Sequence, residues 1–296
     1  MSDFLSGYSI QNWLEACPQG YLEGTQYGHP PGEGESELIL GSTALREDAI
    51  QTTVQLVVGE RCALAASSGL INIAPDHASK AFLATQTLDE ARHVEIFIQR
   101  LYDLGVRKSE IDGVIDALAN PHLVSFAEVL LEKIDKRDFV AGVVGQNIVL
   151  EGMAFSVFEM MHATVEKMNP KFAHTLTGTI ADERRHVGFG ENRIGSLIRE
   201  HPEKRHEIEK MQQEMSYHML ATFSLAFSKT GAAVEEARKL RREAGQDLEP
   251  RTWHGANLST ATPEEMEGVL ADTVLKEFKT RLKRIGIEYQ TPLAPH

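Results

Sequence analysis

The sequence has little that would suit a secreted or membrane-spanning protein. Only two cysteines, Cys17 and Cys62, occur among its 296 residues, which is too few for a disulfide framework and fits a reducing cytoplasm. No uncharged run reaches the roughly 18 residues that a membrane helix needs. The first ten residues also lack the basic start and apolar core of a signal peptide. We therefore expect a cytoplasmic protein with no membrane partner.

Positive charge is also scarce. Lys and Arg number 30 against 43 Asp and Glu, which gives a formal net charge of -13. Because binding to nucleic acid requires clustered Lys and Arg that neutralise phosphates, this balance argues against a nucleic-acid partner. No linker rich in Pro, Gly or Ser separates the motifs described below, and a hydrophobic content of 42% predicts an ordered protein with a sizeable core.

Helical periodicity dominates the sequence after an N-terminal stretch rich in Gly and Pro. The pattern predicts an all-α protein with an irregular arm over 1–44, a four-helix bundle over 45–200 and additional helices packing on the bundle over 201–296. No segment alternates apolar and polar residues for long enough to predict a strand. The predicted helices cover 45–73, 76–104, 138–167, 171–200, 203–230, 234–245 and 263–285.

Two copies of one five-residue phrase lie in the second and fourth long helices. Residues 89–93 read Asp-Glu-Ala-Arg-His, and residues 182–186 read Asp-Glu-Arg-Arg-His. In each copy the Glu and the His are three positions apart, so both lie on one helix face within reach of a single ion. A lone glutamate stands in the helix before each copy. The candidate ligands are Glu60, Glu90, His93, Glu151, Glu183 and His186.

The spacing of these glutamates is nearly the same in the two halves. Glu60 precedes Glu90 by 30 positions and Glu151 precedes Glu183 by 32, enough in each case for a helical hairpin. Two such hairpins packed together enclose a cage of four carboxylates and two imidazoles. A single Glu-x-x-His pair is often just part of a solvated helix face, but two copies with matching flanks predict a dinuclear metal site. The connection over 106–136 favours a ferritin-like bundle with one long crossover.

The donor set indicates which metals the cage would hold. Carboxylate and imidazole donors suit iron or manganese better than copper(I) or structural zinc, which prefer thiolates. Four carboxylates also balance the charge of two divalent ions, so the pair could lie inside an apolar bundle. We expect two iron ions, with Mn/Fe as the alternative and O2 as co-substrate.

The Asp and Arg residues that both copies of the phrase share are predicted to support the ligands. An aspartate one position before each ligating glutamate points away from its own metal but can reach the ring N–H of the histidine on the opposing helix. The arginines would then pair with those aspartates. The predicted supporting residues are Asp89, Arg92, Asp182 and Arg185.

These motifs resemble the ferritin-like di-iron carboxylate superfamily over roughly residues 45–200. The group includes multicomponent monooxygenase hydroxylases, acyl-carrier-protein desaturases, di-iron N-oxygenases, the ribonucleotide reductase small subunit and the ligand-binding oxidases related to it. The resemblance implies that Glu60 and His93 bind one ion and that Glu151 and His186 bind the other. It also implies that Glu90 and Glu183 bridge the ions or shift between them.

Several positions depart from the subfamilies of this group. Phe97 stands where the reductase subunit has its radical tyrosine, and Gln146 stands where the ligand-binding oxidases have a crosslinking tyrosine. Thr179 replaces the extra histidine of the aminobenzoate N-oxygenases. Phe155 replaces a threonine that is usual in the multicomponent hydroxylases. No named subfamily matches at every one of these positions.

Residues one turn from the ligands are predicted to form a substrate pocket. Most are apolar or small, with aromatic walls, a gap at a glycine, and three polar side chains to orient a substrate. The alternative interpretation is that the phenylalanines are ordinary core residues. The predicted pocket residues are Gln86, Phe97, Asn147, Phe155, Thr179, Phe189 and Gly190.

The resulting functional hypothesis is a non-haem di-iron oxygenase that hydroxylates, N-oxygenates or desaturates a small organic substrate. No flavin or nicotinamide fingerprint is present, so a ferredoxin or a flavin reductase is expected as the external electron donor, and a homodimer is one expected assembly. The first alternative is a Mn/Fe ligand-binding oxidase. The second is ferritin-type iron oxidation and storage, which the many residues beyond the bundle disfavour.

Overall fold

The computed structural model describes residues 34–166, 169–227, 231–243, 252–257 and 260–292. Most of the predicted irregular arm, residues 1–33, therefore lies outside the described residues. Its last part is more regular than predicted, because a short helix, Glu37–Leu40, forms there and the first long helix already begins at Thr43.

The described chain is built almost entirely of α-helices, which confirms the all-α prediction. A π-helix, Val144–Leu150, joins the α-helices Phe139–Val143 and Glu151–Val165. Pro202–Lys204 form a 3-10 turn before the helix Arg205–Phe227. The α-helices are α1 (Glu37–Leu40), α2 (Thr43–Ile71), α3 (His77–Asp103), α4 (Ile111–Leu118), α5 (Pro121–Asp135), α6 (Phe139–Val143), α7 (Glu151–Val165), α8 (Pro170–Glu200), α9 (Arg205–Phe227), α10 (Gly231–Glu243) and α11 (Pro263–Arg284).

Side-chain caps fix where the long helices begin. The Asp76 carboxylate accepts a hydrogen bond from Ser79 N at 2.7 Å and starts α3, as predicted. Asn169 accepts from Phe172 N at 3.2 Å and starts α8. These caps satisfy N–H groups that have no partner within a helix. The breaks between the ligand-bearing helices are thus encoded locally.

Four helical segments form the bundle. The α2–α3 hairpin packs against the hairpin formed by α6, the π-helix, α7 and α8, and the crossover helices α4 and α5 both contact α2. Outside the bundle, α9 lies on α5 and the π-helix, α10 on α2, and α11 on α7. The core between the hairpins includes Phe97 and Leu176, both with no solvent exposure. This arrangement agrees with the predicted long crossover.

The third long helix differs from the prediction of one continuous α-helix over 138–167. Its middle, Val144–Leu150, is a π-helix, and residues 167 and 168 lie outside the described part. Every residue from 141 to 153 is buried, so no side of the segment faces solvent. Because no solvent-exposed polar face recurs there, the sequence gives no period that could reveal the change of helix type.

A small β-hairpin is a second departure, since no strand was predicted. Thr252–Trp253 pairs antiparallel with Ala256–Asn257. The two turn residues, His254 and Gly255, both have positive φ (45° and 89°), as a two-residue type I′ turn requires. Strands of two residues are too short for any alternation to be recognised in the sequence.

Two helical stretches, Thr43–Ile71 and Phe139–Val165, are long and apolar enough to cross a membrane by length and composition. The pair α4 and α5 also passes this test together, but it is bent by 97°. In the 139–165 stretch 83% of the apolar window is buried inside the protein, and in α2 the share is 44%. The bundle core thus accounts for most of the apolar character of the 139–165 stretch.

Candidate metal centre

The six predicted ligands come from four helical segments and converge at the middle of the bundle. Each is at most 4% exposed. Their donor atoms form two groups, and within each group all donor atoms lie within 4.8 Å of one another. One group contains Glu60, Glu90, His93 and Glu183, and the other contains Glu90, Glu151 and His186. Because Glu90 belongs to both groups, it lies where a bridging ligand would be.

His93 points its Nδ1 atom into this cluster. The Nδ1 atom lies 3.3 Å from Glu60 Oε2, 3.5 Å from Glu90 Oε2 and 3.5 Å from Glu183 Oε1. Its other ring nitrogen, Nε2, points outward and lies 3.1 Å from Asp182 Oδ2 on α8. One nitrogen of the ring is thereby directed toward the carboxylates while the other is held from outside.

His186 repeats the arrangement from the opposite hairpin. Its Nδ1 lies 3.3 Å from Glu90 Oε1, 3.6 Å from Glu183 Oε2 and 3.8 Å from Glu151 Oε1. Its Nε2 lies 3.2 Å from Asp89 Oδ2 on α3. Glu183 is near both histidines, as a second bridging carboxylate would be.

The Asp and Arg side chains of the phrase cross between the two hairpins. Arg92 donates to Asp182 at 2.7 Å, and Arg185 donates to Asp89 at 2.8 Å. Each aspartate thus holds a histidine of the other hairpin and is itself held by an arginine. These are the contacts that the sequence predicted for these four residues.

The electrostatics of the cluster depend on burial. Burial raises the pKa of Glu60 to about 8, although the nearby His93 lowers it in part. Burial likewise raises the pKa of Glu151 and Glu183, to which the neighbouring carboxylates add. Burial opposes ionisation of Glu90 too, but hydrogen bonding and charge from the histidines lower its pKa to about 2. Without a bound cation, burial and mutual repulsion therefore disfavour the ionised form of all four carboxylates at once.

Several buried atoms in the cluster lack a hydrogen-bond partner. Among the described residues, Glu90 Oε2, Glu183 Oε2 and His186 Nδ1 are buried and unpaired. Unpaired buried acceptors are costly unless something else binds them. Metal ions would satisfy these atoms and balance the carboxylates. The residues therefore fit a pair of cations with oxygen and nitrogen ligands.

Three side-chain amides hold Glu151. Gln86 Nε2 donates to Glu151 Oε1 at 2.7 Å, Gln146 Nε2 donates to the same oxygen at 3.2 Å, and Asn147 Nδ2 donates to Oε2 at 3.0 Å. Gln146 also donates to the Ala63 carbonyl on α2 at 3.1 Å. The sequence had indicated Gln86 and Asn147 as pocket residues and had not included Gln146 in the site.

The π-helix explains why Gln146 reaches Glu151. In an α-helix the side chain five positions earlier is rotated well away, whereas the wider turn of a π-helix brings positions i and i+5 close together. Recognising Gln146 would therefore have required knowledge of the helix type. Its polarity inside an apolar run was the available signal.

The other residues predicted to line a pocket are packed in the core or occupied by contacts with other side chains. Phe97 is fully buried in the core, and Thr179 bonds to the Thr175 carbonyl. Phe189 stacks on Phe82 with 4.2 Å between ring centroids. Phe155 is 6% exposed, and the guanidinium carbons of Arg184 and Arg281 lie 5.7 and 5.1 Å from its ring centroid.

Gly190 does not leave the gap that was predicted. A Cβ atom at this position would come within 2.5 Å of Asn147 Cβ. The space beside Gly190 is therefore occupied by Asn147, and the glycine allows α8 to approach the π-helix.

A cavity of about 630 Å³ opens elsewhere, between α2, α7, α9 and α10. It reaches Glu60, Glu151 and Glu183 at its inner end, and its walls include Leu56, Phe158 and other apolar side chains. None of the seven predicted pocket residues lines it. The seven residues were chosen because they lie one turn from the ligands on the same helices. The free space instead depends on how the helices outside the bundle pack against it.

Comparison with known proteins finds similarity at the level of structure alone. No protein-family model matches the sequence, and no curated protein does. A protein from Synechococcus with aldehyde deformylating oxidase activity superposes with a TM-score of 0.61 at 14% identity, over 84% of this chain and 94% of that one. A mutant R2-like ligand-binding oxidase with an aerobically reconstituted Mn/Fe cofactor gives 0.66 at 14%, over 94% and 92%.

Another R2-like ligand-binding oxidase, studied after photoconversion, gives a TM-score of 0.65 at 15% identity over 88% of each chain. These structures are ferritin-like helical bundles, and the chain described here has the same fold. The predicted fold class is therefore confirmed, and the carboxylate and histidine cluster lies within the bundle. Metal binding by the six residues remains a prediction that their geometry supports.

Proposed function

We propose that the protein is a metal-dependent oxidoreductase that activates O2 beside the apolar cavity and oxidises an organic substrate bound in it. The supporting observation is the convergence of six buried ligands at the inner end of that cavity. The structural neighbours include oxidases, which is consistent with this class of reaction. Hydroxylation, N-oxygenation and desaturation are the expected forms of the oxidation.

The proposed cofactor is a pair of iron ions, with Mn/Fe as the alternative. Two divalent ions would neutralise the four carboxylates, and imidazole with carboxylate oxygen suits both metals. Similar solved structures carry a Mn/Fe cofactor, which supports keeping this alternative. When bound, such ions supply the electrons that reduce O2.

The chain's own residues would provide placement, charge balance and exclusion of water. Asp182 and Asp89 fix which nitrogen of His93 and His186 faces the metals. The largely apolar walls of the cavity would hold the substrate next to the cluster with little water. An external reductase, a ferredoxin or a flavin protein, is the proposed source of electrons, and the proposed location is the cytoplasm.

Metal loading and O2 consumption test this function. Protein loaded anaerobically with Fe(II), or with Fe(II) and Mn(II) together, is expected to bind two ions per chain and to consume O2 when a chemical reductant is added. In protein offered both metals, two iron ions per chain would support the di-iron enzyme, and one ion of each metal would support the Mn/Fe alternative. No O2 consumption by fully loaded protein would contradict the proposal.

A pair of histidine variants provides the control. His186→Ala is expected to abolish loading at its half of the site, whereas His206→Ala, whose side chain is 94% exposed on α9, is expected to behave as the wild type. Gel filtration separates the remaining alternative. A large hollow assembly would favour iron storage, and a monomer or homodimer would favour the enzyme.

A further inference from the structure

The cavity extends from the metal cluster along one face of α2. Its lining on this helix runs from Ala44 to Ala63, and from Asp48 onward it follows the three- and four-residue spacing of one face. Asp48 lies near the outer end, twelve positions before Glu60. At the α-helical rise this is about 18 Å along the helix axis. A ligand that fills the cavity is therefore elongated, with one end at the metals and the other near Asp48.

Two polar side chains at this outer end make no hydrogen bond or ion pair with another described residue. Asp48 is half-buried and lines the cavity, and it makes no hydrogen bond or ion pair with any described residue. Thr52, one turn further along the same face, likewise makes no hydrogen bond with the part of the chain that the structure describes. Other polar side chains of the wall do have partners. Gln51 and Gln55 donate to the Leu118 carbonyl, and Asn120 donates to the Thr222 carbonyl.

The cationic groups of the wall are already paired. Arg100 donates to Glu35 at 2.9 Å and to Thr53 at 3.0 Å, and it stacks on the Phe172 ring. Arg238 donates to Glu235 at 2.7 Å. Asp48 therefore contributes a negative charge that no direct contact with another described side chain neutralises.

Burial and the nearby charges determine how the Asp48 carboxyl ionises. Burial raises the pKa of this carboxyl to about 6, and the charge of Arg100 offsets the effect only in part. A partly desolvated carboxylate favours a ligand that brings a positive charge and N–H donors. A ligand ending in a carboxylate would meet like charge at Asp48 and at exposed Glu47, which also lines the cavity.

We propose that the outer end of the cavity binds an ammonium group, so that the substrate is a long-chain aliphatic amine held by Asp48 and Thr52. The ammonium donates to the Asp48 carboxylate and the Thr52 hydroxyl, and the alkyl chain lies along α2 toward Glu60. This inference rests on the proposed function, because it takes the cavity to be the substrate site.

Calorimetric titration of the Fe(II)-loaded protein under anaerobic conditions tests the inference with three matched probes: decylamine, decanol and decanoate. An ammonium–carboxylate hydrogen bond is expected to make decylamine bind about tenfold more tightly than decanol, with decanoate the weakest. Asp48→Asn is expected to remove the preference for the amine and to leave decanol binding unchanged. Asp116→Asn, at an exposed position on α4, is the control and should match the wild type.

Three results would overturn the inference: a preference for decanoate, an unchanged amine preference in Asp48→Asn, or no binding of any probe. Thermal unfolding of both variants would show whether a loss of binding reflects a loss of fold. The binding test is independent of turnover. Loaded protein that binds the amine through Asp48 but consumes no O2 would contradict the proposed function alone, whereas O2 consumption without amine preference would contradict this inference alone.

Discussion

The two halves of the metal centre carry the same ligands but hold them differently. Glu60 in the α2–α3 half lies 3.3 Å from His93 Nδ1, and no side-chain amide of the described residues donates to it. Glu151 in the other half accepts hydrogen bonds from three amides. The repeated phrase supplies matching ligands and matching Asp–His contacts. The residues outside the phrase hold Glu151 through three amides and give Glu60 no such support.

The largest effect is expected where the two halves meet. Glu90 belongs to both ligand groups, so Glu90→Ala should abolish binding of both ions, whereas Glu60→Ala should remove only one. Elemental analysis after anaerobic loading measures this. Glu128→Ala, at an exposed position on α5, is the control. Full loading of Glu90→Ala would show that Glu90 is not shared.

The crossed aspartates test whether the halves depend on each other. Asp89→Asn should weaken the ion held by His186, and Asp182→Asn the ion held by His93, because each aspartate contacts the histidine of the other hairpin. The loss of metal affinity should be about 10–100-fold in each case. Competition with a chelator measures it. An unchanged affinity would mean that the contacts of Asp89 and Asp182 with the histidines do not contribute to metal binding.

Gln146→Leu tests the difference between the halves most directly. The change removes a donor to Glu151 and to the Ala63 carbonyl. Because two buried hydrogen bonds are lost, the free energy of unfolding should fall by about 1–3 kcal/mol. Metal affinity should fall about tenfold, at the lower end of the effects seen for supporting residues. Gln99→Leu, at an exposed position on α3, is the matched control. Equal stability and equal metal affinity of the two variants would contradict a role for Gln146 in holding Glu151.

A pair of glycines gives the smallest and cleanest comparison. A Cβ at Gly190 would lie 2.5 Å from Asn147 Cβ, whereas one at Gly188 would meet nothing within 4 Å. Gly190→Ala should therefore lower the free energy of unfolding by about 1–3 kcal/mol. Gly188→Ala should raise it by up to about 1 kcal/mol through helix propensity. Thermal unfolding of both variants measures the difference, and equal midpoints would contradict the close packing at Gly190.

The repeated phrase made much of the centre predictable. The three-residue spacing of Glu90 and His93, and its copy at Glu183 and His186, follows from helix geometry alone, and so do the crossed aspartates. The amides around Glu151 were harder to predict, because Gln146 reaches it only through a π-helix in a segment buried on every side. The cavity could not be located, since its walls come from α9 and α10 as well as the bundle.

Anomalous X-ray diffraction at the iron edge, from crystals of Fe(II)-loaded protein, tests the central claim most directly. Two peaks are expected between the Nδ1 atoms of His93 and His186, with Glu90 in contact with both, and no such peaks are expected in crystals of Glu90→Ala. A single peak, or peaks outside the cluster of six ligands, would contradict it.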